Sequence, residues 1–221
     1  MVAIKSYNTI KLSTEKKKEA VINEINILKI LKHPNIVKYI NVIENRRNTH
    51  LIMEHGGKNN LKDLIDKKKI TRSLAINFFK KIVDAVSYIH SLGIVHRDLK
   101  VENITINKQN EVKLVDFGFA VKHNGKKLKD ILGTPNYMGP EISLRKDYNG
   151  EANDVWALGV IFYFMITGKY PFTGKNLGEL MANIQSARPS YSSIKGSEEH
   201  RLLRKIFILN EKDRITCKEM L

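Results

Sequence analysis

The chain has 221 residues, of which 42% are hydrophobic and 28% charged, a balance typical of a soluble globular protein and not of a disordered or fibrous one. Its single cysteine, Cys217, excludes an internal disulfide, so we expect a reducing, intracellular environment, cytoplasmic or nuclear. The net charge of +15 comes from scattered lysine clusters without interleaved aromatic residues, so we expect no nucleic-acid binding. The longest uncharged apolar run, residues 155–166, is too short to span a bilayer, so we expect no membrane binding.

The first predicted elements are a strand that ends in a lysine and a helix that carries a glutamate on its apolar side. Residues 2–5 read V-A-I-K, and residues 16–31 repeat apolar side chains at helical spacing from Val21 onward. Glu24 lies on the same stripe, and burying a carboxylate without a partner is costly. Lys5 is the natural partner, while an exposed position at the edge of the stripe is the alternative for Glu24.

The next stretch predicts two strands and then two helices. Pro34 ends the first helix because proline cannot continue it. Residues 37–43 and 49–54 read as strands joined by a polar turn, and a glycine pair follows as a connector. Residues 60–66 predict a short helix and residues 71–90 a long amphipathic one.

Two short polar strings follow the long helix, each set against apolar runs. Residues 96–103 read H-R-D-L-K-V-E-N, which places an aspartate, a lysine and an asparagine on one loop. Residues 112–115 predict a short strand, and residues 116–118, D-F-G, follow it directly. The glycine allows the chain to turn sharply after the second string.

These strings resemble the catalytic loop, H-R-D-L-x-x-x-N, and the magnesium-binding loop, D-F-G, of protein kinases. Residues 2–5 resemble the V-A-I-K strand of the same family. Residues 133–141, G-T-P-N-Y-M-G-P-E, are similar to the serine/threonine-kinase string, with glycine where alanine is usual. The pattern looks most like the calmodulin-dependent and AMP-activated kinase group, and it covers nearly the whole chain.

The resemblance implies an α+β, two-lobed protein-kinase-like fold in one domain, residues 1–221. Residues 1–55 would form a partial small lobe that contains the family's third strand, its helix C and its fourth and fifth strands. Residues 56–221 would form a mainly helical large lobe whose last helices are incomplete. The family's first two strands and the G-x-G-x-x-G loop between them have no counterpart in the sequence.

The resemblance also implies how the reaction is carried out. Asp98 would be the base that orients the acceptor hydroxyl, and Lys100 would steady the phosphoryl group. Thr134 would contact both of these residues. Asn103 and Asp116 would hold Mg²⁺, a cation that prefers oxygen ligands.

An ATP site is implied in the same way. Lys5 would hold the α- and β-phosphates, oriented by Glu24. Met53 would be the gatekeeper beside the adenine, and the backbone of the following connector would bind the base. Thr105 stands where the family usually has leucine as the floor of this site, and its hydroxyl should weaken the apolar packing slightly. The expected ATP-site residues are Lys5, Glu24, Met53, Glu54, Gly56 and Thr105.

Further positions are implied to support this machinery. Asp154, at the start of the apolar run, would bind the backbone of the catalytic loop, and Glu141 would pair with Arg214. Asp130 stands three residues before the G-T-P string, where related kinases often carry a phosphorylatable threonine. One hypothesis is that Asp130 pairs with Arg97 in place of the phosphate, and the alternative is a solvated loop carboxylate.

The function expected from the sequence is therefore a serine/threonine protein kinase that uses ATP and Mg²⁺ and acts, as a monomer, on protein hydroxyls. The alternative is a catalytically weak fragment or pseudokinase that serves as a protein-binding scaffold, which the missing glycine-rich loop favours and the intact polar strings oppose. Glu102 remains where basophilic relatives meet a substrate arginine, but Asn60 replaces a second such glutamate. A strong preference for basic substrates is therefore not expected.

Overall fold

The computed structural model describes residues 1–9, 12 and 14–221, and it contains a sheet-rich part followed by a helical part. This arrangement confirms the expected α+β, kinase-like fold with a reduced small lobe. The sheet-rich part is an antiparallel sheet of three strands in the order β1-β3-β2, with one helix packed against it. These elements are β1 (Val2–Asn8), α1 (Glu15–Ile30), β2 (Tyr39–Glu44) and β3 (Asn48–Glu54).

Helix α1 forms where the sequence predicts it, to within one residue at either end. The side chain of Thr14 caps its first turn by accepting a hydrogen bond from the backbone N–H of Lys17. Val21, Ile25 and Leu28 are buried, as the apolar spacing indicates. Glu24 is also buried, with only 2% of its surface exposed, so it does not occupy the solvated edge of the helix.

The helical part contains short strands that position its loops. The helices are α2 (Leu61–Asp66), α3 (Arg72–Ser91), α4 (Pro140–Ser143), α5 (Gly150–Thr167), α6 (Leu177–Ser186), α7 (Glu198–Ile206) and α8 (Cys217–Met220). The strands are β4 (Asn59–Asn60), β5 (Ile94–Val95), β6 (Ile104–Ile106), β7 (Val112–Leu114) and β8 (Val121–Lys122). One short sheet has the order β4-β6-β7, and β5 pairs with β8. The catalytic-loop string of the sequence lies between β5 and β6.

Helix α5 is the centre of the helical part. Nearly all of its residues are buried, as its uniformly apolar sequence predicts. Trp156 is fully buried, stacks on Phe172 and meets Phe207 edge to face. The guanidinium of Arg214 lies 5.0 Å from the centroid of the Trp156 ring. Because α5 is held on all sides, polar groups at its start are fixed in space.

Backbone hydrogen bonds join the sheet-rich part to the helical part. The N–H of Val37 donates to the carbonyl of Leu114, and the N–H of Leu114 donates to the carbonyl of Asn35. The segment that follows α1 is thereby tied to β7, the strand that leads into the D-F-G string. Among the described helices, none combines the length and hydrophobicity needed to cross a membrane.

Candidate active site

The catalytic loop is held by the carboxylate of Asp154, at the buried start of α5. Its oxygens accept hydrogen bonds from the backbone N–H groups of His96, at 2.8 Å, and Arg97, at 2.9 Å. Arg97 has a positive φ of +66°, which is uncommon for a residue with a side chain. The bonds to Asp154 hold the loop in this strained conformation, as the sequence analysis expected of that residue.

Asp98 lies at the centre of a hydrogen-bonded group and is only 6% exposed. Lys100 Nζ donates to Asp98 Oδ2 at 2.7 Å and to Thr134 Oγ1 at 3.1 Å. Thr134 Oγ1 donates to Asp98 Oδ1 at 2.9 Å, and Asn103 Nδ2 donates to Asp98 Oδ2 at 3.2 Å. The structure therefore brings three of the predicted residues, from two separate segments, onto the carboxylate of a fourth, Asp98.

Lys5 bridges the two parts of the molecule. Its Nζ atom donates to Glu24 Oε1 at 2.8 Å and to Asp116 Oδ1 at 2.7 Å. Tyr7, which the sequence analysis did not select, donates from its hydroxyl to Glu24 Oε2 at 2.5 Å. Tyr7 lies two residues after Lys5, and side chains two residues apart on a strand lie on the same face. This spacing is the feature of the sequence that indicates Tyr7 as a neighbour of Lys5.

The ionisation of this group follows from its neighbours. Burial disfavours the charge on Lys5, but the Glu24 and Asp116 carboxylates outweigh it and raise the pKa of Lys5. Burial likewise opposes the charge on Asp116, yet the hydrogen bond and charge of Lys5 hold the pKa of Asp116 below its usual value. Burial raises the pKa of the Tyr7 phenol, so it remains a donor to Glu24. Lys5 and Asp116 are therefore a charged pair at neutral pH.

The D-F-G string places Asp116 by burying its neighbour. Phe117 is fully buried and its ring packs against His96 at 4.9 Å between centroids. His96 also shares a 3.2 Å hydrogen bond between its Nε2 and the carbonyl of Val115. Burial lowers the pKa of His96, so the ring is neutral. Asp116 itself has a φ of +61° and leaves nearly half of its side chain exposed beside Lys5.

The residues expected to hold a metal present a donor set that suits Mg²⁺. Asp116 offers a partly exposed carboxylate. Asn103 turns its amide nitrogen toward Asp98, which directs its carbonyl oxygen away from that residue. Both are oxygen ligands, and Mg²⁺ usually takes only one or two protein carboxylates together with water and phosphate oxygens. Within the described residues there is no group of three or more His, Cys, Asp or Glu side chains that could hold a metal.

The expected adenine-binding residues lie on β3, on the connector after it and on β6. Met53 is partly buried and pairs in register with Ala3 of β1. The N–H of Glu54 already donates to the carbonyl of Lys38, so an adenine contact from its backbone would use the carbonyl oxygen. The Glu54 carboxylate lies 2.9 Å from Lys113 Nζ.

Gly56 and Thr105 fit closely against each other. A Cβ atom on Gly56 would lie 2.2 Å from Thr105 Oγ1, so no larger residue fits there without movement. The Thr105 hydroxyl donates to the carbonyl of Lys113 at 3.3 Å. The hydroxyl that the sequence analysis expected to disturb apolar packing therefore has a hydrogen-bond partner.

The contact hypothesised for Asp130 is present. Arg97 Nη1 lies 3.6 Å from Asp130 Oδ2, and Lys16 of α1 lies 3.9 Å from the other oxygen. The hydroxyl of Tyr148 donates to the backbone carbonyl of Asp130. Asp130 thus connects the catalytic loop with α1, although its side chain is 54% exposed. The Lys16 contact was not anticipated.

The expected structural pair of Glu141 and Arg214 is confirmed. The two side chains form parallel hydrogen bonds of 2.8 and 3.0 Å, and both are buried. Gly139, which replaces the family's usual alanine, lies against this pair. A Cβ atom at that position would be 2.5 Å from Glu141 Oε1. The glycine therefore leaves room for the carboxylate that Arg214 holds.

The fold and the site together define a catalytic domain of the protein-kinase type. The family model described as "Protein kinase domain" matches residues 1–221, and the chain belongs to this family. The chain is 39% identical, over 100% of its length, to a Dictyostelium discoideum protein named "Probable serine/threonine-protein kinase MARK-A". It is 38% identical, over 90% of its length, to a Saccharomyces cerevisiae protein named "Probable serine/threonine-protein kinase HSL1". The matched regions are 21% and 13% of these relatives, so the chain corresponds to one part of much longer proteins.

Proposed function

We propose that the chain transfers the γ-phosphoryl group of ATP to serine or threonine hydroxyls of proteins. The observation that carries this proposal is the Asp98 carboxylate, which is buried and held by Lys100, Thr134 and Asn103. Phosphoryl transfer depends mainly on positioning and charge stabilisation, and this group supplies both. Both relatives carry the name "Probable serine/threonine-protein kinase", which supports the choice of acceptor.

In this proposal Asp98 accepts the proton of the acceptor hydroxyl and orients its oxygen. Lys100 already lies 2.7 Å from Asp98, so its ammonium can balance the negative charge that develops between acceptor and phosphoryl group. Thr134 fixes the second oxygen of Asp98, which keeps the carboxylate from rotating. Asp98 thus accepts one bond from Lys100 of the catalytic loop and one from Thr134 of the G-T-P string. It is therefore aligned only when residues 133–137 are folded against the catalytic loop.

The nucleotide would be held where Lys5 meets Asp116. The Lys5 ammonium would contact the phosphates, and Glu24 together with Tyr7 would keep it in position. Asn103 and Asp116 would bind Mg²⁺, which when bound neutralises phosphate charge. Met53, the Glu54 carbonyl, Gly56 and Thr105 would surround the adenine.

We further propose that the Asp130 carboxylate takes the place of an activating phosphate. Its contact with Arg97 links the activation segment, residues 116–141, to the catalytic loop without modification. A carboxylate carries less charge than a phosphate and offers fewer acceptor oxygens, so the activation would be partial. The free, buried Cys217 is consistent with a reducing environment, and we propose an intracellular location.

The proposed activity is tested by comparing the chain with its Asp98→Asn variant. Dephosphorylated casein and γ-labelled ATP with Mg²⁺ serve as substrates, and acid hydrolysis identifies the labelled residue. Removal of a positioned base is expected to lower the rate by about 10²–10⁴-fold. Asp66→Asn, at the exposed end of α2, is the matched control and should retain the wild-type rate.

Label on serine and threonine that disappears only in Asp98→Asn would support the proposal. Label on tyrosine, or equal rates for Asp98→Asn and the wild type, would contradict it. A chain that binds no ATP and transfers no label would instead favour the scaffold function that the sequence analysis left open.

A further inference from the structure

A groove of about 730 Å³ is lined by the segment that follows α1, by the end of β3 and by β7. Its apolar lining consists of Leu31 and Ile36, which are buried, and Pro34, which is exposed. The volume falls within the range of about 300–1,000 Å³ that binding sites usually have. Of the residues proposed for the catalytic and ATP sites, only Glu54 lines the groove.

The rim of the groove is basic. Lys32 and Lys38 are exposed, and the partly buried Lys113 also lines the groove. The one acidic lining residue, Glu54, is already occupied, because it accepts hydrogen bonds from the backbone N–H of Lys38 and from Lys113 Nζ. The two exposed lysines therefore have no neutralising partner among the lining residues.

The walls of the groove are held firmly, which favours binding without rearrangement. The His33 ring stacks on Tyr88 at 5.2 Å between centroids, and its Nε2 lies 3.1 Å from Asp84 Oδ2. The N–H of Lys32 donates to the Tyr88 hydroxyl at 3.0 Å. The backbone bonds between residues 35–37 and Leu114 close the other side.

We propose that this groove binds an acidic peptide segment of a partner protein. Glutamate or aspartate side chains would meet Lys32 and Lys38, and an aliphatic side chain would pack on Pro34 above Leu31. Charge complementarity of this kind selects partners and speeds association. A nucleic acid fits less well, because the lining contains no Phe, Tyr or Trp on which bases could stack. The proposal does not depend on catalysis.

The test uses a fluorescein-labelled peptide of sequence Glu-Glu-Leu-Glu-Glu-Leu-Glu-Glu, with binding followed by fluorescence polarisation. The double variant Lys32→Glu/Lys38→Glu is expected to bind at least about tenfold more weakly than the wild type. Lys67→Glu/Lys69→Glu has the same net charge and changes exposed lysines of the α2–α3 turn, so it should bind nearly as well as the wild type. A milder variant, Lys32→Gln/Lys38→Gln, should show an intermediate loss, and circular dichroism checks that each variant is folded.

Four results would overturn the proposal. Absence of saturable binding to the wild type would show that the groove does not take acidic peptides. Equal weakening in the two charge-reversed variants would show that only the overall charge attracts the peptide. Equal binding of a peptide with glutamine in place of every glutamate would assign the groove to an apolar ligand. A wild-type dimer that dissociates in the Lys32→Glu/Lys38→Glu variant, as measured by sedimentation, would assign the groove to a second copy of the chain.

Discussion

At the scale of single residues, the site depends on charges that are placed by neighbours distant in sequence. Lys5, Glu24 and Asp116 come from a strand, a helix and a loop, and their bonds fix how the sheet-rich part sits over the catalytic loop. Arg97 and Asp116 both adopt left-handed backbone conformations, which the surrounding bonds must maintain. Such strain at two positions of one site is a mark of functional constraint.

The Asp130 carboxylate is expected to contribute to activity through Arg97. An exposed ion pair is usually worth about 0.2–1 kcal/mol, so Asp130→Ala should lower kcat by about 1.4- to fivefold. Asp147→Ala is the control, since Asp147 is also exposed in this region and faces Lys129. An Asp130→Ala variant with the wild-type kcat would show that the carboxylate is merely solvated.

Most residues of the candidate site could be predicted from the sequence, because the polar strings at residues 96–103 and 116–118 are specific to protein kinases. The roles of His96 and Tyr7 could not, since each acts by packing or bonding to a residue that the chain brings near only on folding. The same holds for Lys16, whose contact with Asp130 depends on where α1 lies over the activation segment.

At the scale of elements, long periodic segments and the apolar strand at residues 112–115 were predictable, whereas strands of two residues were not. Helices α1 and α3 begin and end within one residue of the predicted bounds, because apolar spacing and capping residues define them locally. Strands β4, β5 and β8 have two residues each and exist only through their pairing partners. No local pattern in the sequence specifies such pairs.

Gly139, before the short helix α4, is expected to fit the Glu141–Arg214 pair of this chain better than the alanine that is usual in the family. In Gly139→Ala the new methyl would press on the Glu141 carboxylate, which Arg214 and burial prevent from moving away. Forced contacts of this kind usually lower the free energy of unfolding by about 1–3 kcal/mol. Urea denaturation measures the change, with Gly178→Ala in α6 as a control whose new methyl would meet only Asn176.

A Gly139→Ala variant as stable as the wild type would mean that the Glu141 side chain adjusts freely. The rigid pairing described for Glu141 and Arg214 would then be wrong.

At the scale of the whole molecule, acid should weaken the fold in two stages. Burial lowers the pKa of His96 from its usual 6.5, so the unfolded chain binds a proton there that the folded chain does not, and stability declines as the pH falls below about 6.5. The Arg72 guanidinium lowers the pKa of Glu199 to about 2 from a usual 4.5. The stability from Glu199 is thus complete above pH 4.5 and is lost as the pH falls toward 2.

The second stage can be isolated with Glu199→Gln, which removes the charge that Arg72 binds through two hydrogen bonds. The variant should be less stable than the wild type at about pH 6, and the difference should shrink at about pH 3, because the wild-type carboxylate is then largely protonated in the unfolded state. Urea midpoints at the two pH values provide the measurement. A difference that stays constant would contradict the assigned pKa.

The claim that the Lys5–Asp116 region is a working ATP and Mg²⁺ site is tested most directly by measuring Mg²⁺-dependent ATP binding and phosphoryl transfer together. The wild-type chain is compared with Asp116→Asn and with the control Asp66→Asn. We predict that the wild type and the control bind ATP more tightly with Mg²⁺ and label a serine/threonine substrate, whereas Asp116→Asn loses both the Mg²⁺ dependence and the transfer. Transfer that persists in Asp116→Asn, or ATP binding that Mg²⁺ does not affect in the wild type, would contradict the account.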